Sequence, residues 1–209
     1  MGGIFNYDNP VMQAVRKLLL LAWLNLLTAL LCIPIITAGA AITALHTSAK
    51  RLKRDEGALT RCFFSDFTEN FKKSTLLWLL VLGVIAFLCV DYYICTQLNI
   101  RSIKAAQAVL TVEGVFVGVL LVWLFPLLAR YENRKLQTVK NAAILTIAYL
   151  PTTFLMLILY LMPVILLLLV PAAFPLVLLF GFSGPVYLNY PLYNRVFERI
   201  DAQNEENSE

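Results

Sequence analysis

A chain of 209 residues that is 60% hydrophobic and only 14% charged, with a mean hydropathy of +0.75, has too few polar side chains to coat a soluble globule of its size. This excludes an ordinary cytosolic domain and makes the lipid bilayer the chain's principal partner. The net charge of +4 lies at the ends of apolar runs, which fits the Lys and Arg bias of cytoplasmic loops and argues against nucleic acid as a partner.

Residues 1–14 read as a short polar lead. Arg16 and Lys17 then stand at the entry of a first spanning helix predicted over 12–33 and ended near Pro34, which lacks a backbone donor and disfavours helix at the residue before it. Two basic residues, an apolar run and Ala38-Gly39-Ala40 imitate a cleavable secretory signal. The run from Leu18 to Ile36 is nineteen residues, longer than such a core and long enough to cross, so it is read as a retained span.

The next stretch, 38–54, is weakly apolar, with Gly39, Thr43 and Thr47 flanked by Ala40 and Ala44. Small residues at this spacing form a helix-packing face that lets two backbones approach in a membrane. We read it as a helix about 25 Å long returning to the cytoplasm, with Lys50, Arg51, Lys53 and Arg54 at its end and Asn25 hydrogen-bonding across to His46, Thr47 or Ser48. If it crosses, fifteen of the seventeen Lys and Arg residues are cytoplasmic, with Arg101 and Lys104 outside; if it does not, the split is thirteen to four. The charge rule therefore prefers six spans to five, with both termini cytoplasmic.

Residues 55–71 form the predicted cytoplasmic elbow: a turn at Asp55, Glu56 and Gly57, then an amphipathic helix. Phe63, Phe64, Phe67 and Phe71, spaced by three and four, share one face, and Arg54, Arg61, Lys72 and Lys73 surround it. Such a face lies in the headgroup layer, packs on its own bundle, or docks a cytoplasmic partner. A third span is predicted over 74–95, an outer loop over 96–104 and a fourth span over 105–128. From Leu136 to Tyr190 the chain is apolar but broken by Pro151, Pro163, Pro171, Pro175 and Pro185, which predicts spans near 142–162 and 172–190 with an outer turn near 163–171. The fold class is thus all-α, a polytopic bundle of about six spanning helices. One domain covers 1–199, and an acidic tail over 200–209 is expected to be disordered.

Reactive groups are sparse. His46 is the one imidazole, without a Ser-His-Asp set or a phosphate-binding loop, and is expected to be a helix-packing hydrogen-bonder. Cys32, Cys62, Cys89 and Cys95 lack metal-site spacing and are expected to be free thiols. No enzyme activity, metal or cofactor is expected. Asp91 and Glu113 are the acids predicted inside spans, where charge is costly; they pair with Arg101 and Lys104 or face water, or else they line a solute or ion path.

The Phe5 to Pro10 lead, the Pro34 to Leu45 run, the Arg54-Asp55-Glu56 turn, Phe63-Phe64-x-x-Phe67-x-x-x-Phe71-Lys72-Lys73 and the Phe125 to Glu132 segment together resemble the YesL family of uncharacterised bacterial membrane proteins. That resemblance covers nearly the whole chain. It implies a multi-pass protein of the bacterial cell membrane encoded near carbohydrate ABC importers, and it brings no catalytic residue with it. The expectation is an accessory or assembly subunit that binds ABC permease or ATPase subunits through its small-residue face and its elbow. The alternative is an autonomous small-solute transporter or channel using Asp91 and Glu113.

Overall fold

The computed structural model describes residues 10–97, 103–131 and 135–206, and every regular element among them is helical. Eight α-helices follow in order: α1 (Pro10–Cys32), α2 (Ala38–Lys53), α3 (Leu59–Gln97), α4 (Ile103–Arg130), α5 (Lys135–Ala148), α6 (Leu150–Leu169), α7 (Phe174–Phe180) and α8 (Ser183–Glu206). Of these, α1, α3, α4 and α6 are long and apolar enough to cross a membrane, and α7 with α8, bent by 60° at their junction, make a fifth candidate. Outward-facing Leu19, Leu30, Phe87, Val112, Leu168 and Leu169 give the bundle the apolar exterior that lipid requires.

α1 begins on Pro10, where a missing N–H costs nothing. Past its end the chain tightens into a 3₁₀ turn at Ile35–Thr37, whose Thr37 hydroxyl donates to the carbonyls of Leu31 and Pro34. The α2–α3 turn places Asp55 and Ala58, not Gly57, in the left-handed region at φ 54° and 56°. Aspartate tolerates that conformation, and Lys17 of α1 holds it with a 2.9 Å ion pair.

The predicted elbow is not a separate element. Residues 59–97 form one unbroken helix of 39 residues, about 58 Å long, because no proline falls anywhere in that run to interrupt the backbone hydrogen bonds. The amphipathic stretch is its first turns, continuous with the third span. Fully buried Phe63 packs with Leu24, Leu27, Ala44 and Ala49, and half-buried Phe67 packs beside it.

α2 runs antiparallel along the first half of α3, the most extensive helix pair in the bundle. Gly39 abuts Trp78, whose indole N–H donates to the Ile35 carbonyl at 2.7 Å. Lys73 meanwhile donates to the Tyr131 carbonyl at the end of α4. The α1–α2 tip therefore sits beside Trp78, about 7 Å along α3 from Lys73, whereas Gln97 lies about 28 Å further on.

In the second half, Pro151 breaks the predicted fifth span into α5 and α6 at Tyr149 (φ −118°, ψ 45°). Pro163, expected at the outer turn, lies inside α6, and the turn falls at Val170–Ala173. The predicted sixth span is a broken pair, and α8 continues to Glu206. Of the acidic tail, Asp201 is held by Arg130 and Tyr131. The core joins Trp123, Leu124 and Phe125 of α4 to Met156 of α6 and Phe197 of α8.

Candidate functional site

Three polar constructions sit in this apolar frame. The first is a clamp at the α7–α8 break, which leaves unsatisfied carbonyls at the end of one helix and unsatisfied N–H groups at the start of the next. Asn25 of α1, 1% exposed, serves both: its Oδ1 accepts from the N–H groups of Phe182 (2.7 Å) and Ser183 (2.9 Å), and its Nδ2 donates to the Leu178 carbonyl at 2.8 Å. Because both N–H groups and a carbonyl are fixed, only one orientation of the amide satisfies all three. The expected partners His46, Thr47 and Ser48 are not those of Asn25. Spacing along a hairpin fixes its level but not its azimuth, and the side chain points to α7 and α8.

The second is a buried histidine between two tyrosines. His46 of α2 has Nδ1 3.3 Å from the Tyr193 hydroxyl and Nε2 3.4 Å from the Tyr160 hydroxyl, joining α2 to α8 and α6. Tyr160 and His46 also line the polar end of a cavity of about 650 Å³ between α2, α4, α6 and α7, whose other walls are apolar. Sequence reading misses Tyr160 and Tyr193; the signal available is two phenols placed among aliphatic residues, where the O–H needs a partner.

The third gathers charge at one end of the bundle. Arg130 donates to Asn194 Oδ1 at 2.8 Å and pairs with Asp201 at 2.6 Å, while the Tyr131 hydroxyl donates to the other Asp201 oxygen at 2.7 Å. Burial, then the bond to Asp201, pushes the Tyr131 hydroxyl well above its ordinary titration range. Arg51 faces Asp66 at 3.4 Å and Glu56 at 3.7 Å beside a polar cavity of about 290 Å³, and Lys53 lies 3.9 Å above the Tyr187 ring. Partly exposed pairs of this kind contribute about 0–1 kcal/mol each, so their effect is to align helix ends.

The remaining expectations divide. Gly39, Ala40, Thr43 and Ala44 are buried and Thr47 half-buried, so the small-residue face is used within the chain, against α3, and is not a surface for a partner. Phe63 is likewise withdrawn from any docking surface. Phe64, Arg54, Arg61 and Lys72 remain exposed, while Phe67, Phe71 and Lys73 are half-buried. Asp91 is half-buried and Glu113 exposed, and neither makes an ion pair among the described residues; Arg101 lies outside them, as does the Phe5 to Asn9 lead. Cys32, Cys62, Cys89 and Cys95 are free thiols. Among the described residues no three His, Cys, Asp or Glu side chains gather as they would around a metal.

An apolar exterior, a proline-broken helix satisfied from inside the bundle and, among the described residues, ion pairs gathered at one end define a polytopic helical membrane protein. Residues 20–92, from α1 through most of α3, match the family described as "Protein of unknown function, DUF624", a likeness over about a third of the chain that is consistent with the YesL resemblance. The matched segment contains Asn25, Gly39, His46 and Phe63. No curated protein and no solved structure matches the chain.

Proposed function

We infer that this is a non-catalytic protein of the bacterial cytoplasmic membrane, with both termini in the cytoplasm, acting as an accessory or assembly subunit of a carbohydrate ABC importer. The observation that carries the reading is the basic end: Lys17, Arg51 and Arg130 are held in ion pairs, but Phe64 stands 43% exposed on α3 one turn past exposed Arg61, and Arg54 and Lys72 are exposed as well. An aromatic anchor near cations is the composition of a protein-binding hot spot. With the small-residue face already occupied by α3, contact with a permease falls to the outer row of α1 formed by Leu19, Leu26 and Leu30. The choice of an importer as partner rests on the family resemblance. An autonomous carrier has less support, since Glu113 faces outward instead of lining an internal path.

The position of the α1–α2 tip beside Trp78 favours a re-entrant hairpin over two full crossings. On this topology α3, α4, α5–α6 and α7–α8 make four crossings. In a cysteine-free background, Ile36→Cys should then resist an impermeant maleimide applied from outside, while Gln97→Cys reacts; reaction of both from outside restores two full crossings. For the partner, a tagged chain purified from native membranes should carry permease or ATPase subunits, and Phe64→Asp should release them. Recovery of the chain without any importer subunit would refute the reading.

A further inference from the structure

The 650 Å³ cavity lies in the middle of the range for sites that hold small ligands, roughly 300–1,000 Å³. Its walls are aliphatic, and its mouth lies between α4 and α6 at Val115, Leu161 and Val164, all of which are exposed on the apolar exterior. An occupant therefore enters sideways, from the hydrocarbon of the bilayer. Ile42, Leu121, Val122 and Leu157 offer it no polar contact. At the inner end His46 and Tyr160 do.

Hydrogen-bond counting at that end leaves one function unused. A neutral imidazole has one N–H and one acceptor nitrogen, and both nitrogens of His46 face tyrosine hydroxyls. One tyrosine must donate to the ring, and the other accepts from it and keeps its own O–H hydrogen. Tyr160 is the one of the two that lines the cavity, so an acceptor bound there selects the tautomer with the proton on Nε2, in which Tyr193 donates to Nδ1 and the Tyr160 O–H is free for the ligand. The neighbouring Asn189 reaches Tyr160 from its donor side, its Nδ2 also donating to the Met156 carbonyl, while its Oδ1 accepts from nothing. A buried hydroxyl without an acceptor is costly, so the site favours a ligand that brings one.

We propose that the cavity between α4 and α6 binds a single-chain lipid, a fatty acid, with its carbonyl oxygen accepting a hydrogen bond from Tyr160. The chain's methyl end lies toward the α4 and α6 walls. Gly118 supplies the means to close the site: a Cβ built there meets nothing within 4 Å, so a larger side chain at this lining position fills space without striking the backbone. The proposal is independent of any importer partner and stands or falls without one.

The test uses the full chain in phosphatidylcholine nanodiscs doped with palmitic acid carrying a diazirine near its methyl end, irradiated and mapped by peptide. Labelling is expected at cavity residues such as Val122 and Leu157. Gly118→Leu should reduce it about tenfold, and Tyr160→Phe about fivefold, the loss of roughly one hydrogen bond. Label confined to outward positions such as Leu79, Phe87 and Val109, unchanged in both variants, is ordinary boundary lipid and overturns the proposal. Cavity labelling indifferent to Tyr160→Phe overturns the placement of the carbonyl.

Discussion

Asn25→Leu should lower the melting temperature of the detergent-solubilised protein by about 10 °C. The substitution keeps side-chain volume and apolarity close to what the surroundings accept, so its effect isolates the amide. It strands three backbone groups, the Phe182 and Ser183 N–H and the Leu178 carbonyl, in a region without water. Each buried group left unpaired costs about 1–3 kcal/mol, and relaxation recovers part of the sum, leaving a loss of about 3–5 kcal/mol. For a chain of this size each kcal/mol moves the melting temperature by roughly 2–4 °C. Leu26→Ala, one residue on and facing outward, should shift it by no more than about 2 °C, since exposed positions change stability by roughly 0.5 kcal/mol. A clamp variant that melts with the wild type would show that the α7–α8 break finds its partners elsewhere.

The clamp also marks the limit of what the sequence can show. The helix break at Gly181–Phe182 is signalled locally by Gly181, Ser183-Gly184 and Pro185, but nothing local says which group satisfies it. Asn25 reads as a polar residue needing a partner, but the two lie more than 150 residues apart, and only the packed bundle pairs them. Local chemistry is far more legible. Pro34 ends α1, the Lys50 to Arg54 cluster ends α2, and the Arg16 and Lys17 entry lies inside a single long helix. The small residues of α2 forecast a close helix approach, and the approach exists, but periodicity cannot say that the neighbour is α3 of the same chain. The phenylalanine pattern is ambiguous for the same reason: a shared face is a property of one helix, whereas the burial of Phe63 beside an exposed Phe64 depends on where α1 and α2 settle. Composition is likewise blind to Arg130 and Tyr131, which hold Asp201 at the start of the acidic tail.

The same substitution at two glycines should have opposite signs. Gly118→Ala is expected to be neutral or to stabilise by up to about 1 kcal/mol, because alanine is the better helix former and its methyl meets nothing within 4 Å. Gly39→Ala has the same propensity gain, yet its Cβ would stand 2.5 Å from the Trp78 Cβ and 2.9 Å from the Ser74 carbonyl oxygen. Neither contact is the free end of a flexible chain, so relief requires α2 and α3 to move apart along the helix pair that carries Arg51 to Asp66 at one end and Trp78 to Ile35 at the other. Overpacking of this kind costs about 1–3 kcal/mol, which exceeds the propensity gain and should lower the melting temperature by roughly 2–8 °C. Gly39→Leu should cost more, since a longer side chain cannot share the gap with the indole. Equal melting of Gly39→Ala and Gly118→Ala would mean that α2 and α3 are not in backbone contact, and the position of the α1–α2 tip, which follows from that contact, would have to be redrawn.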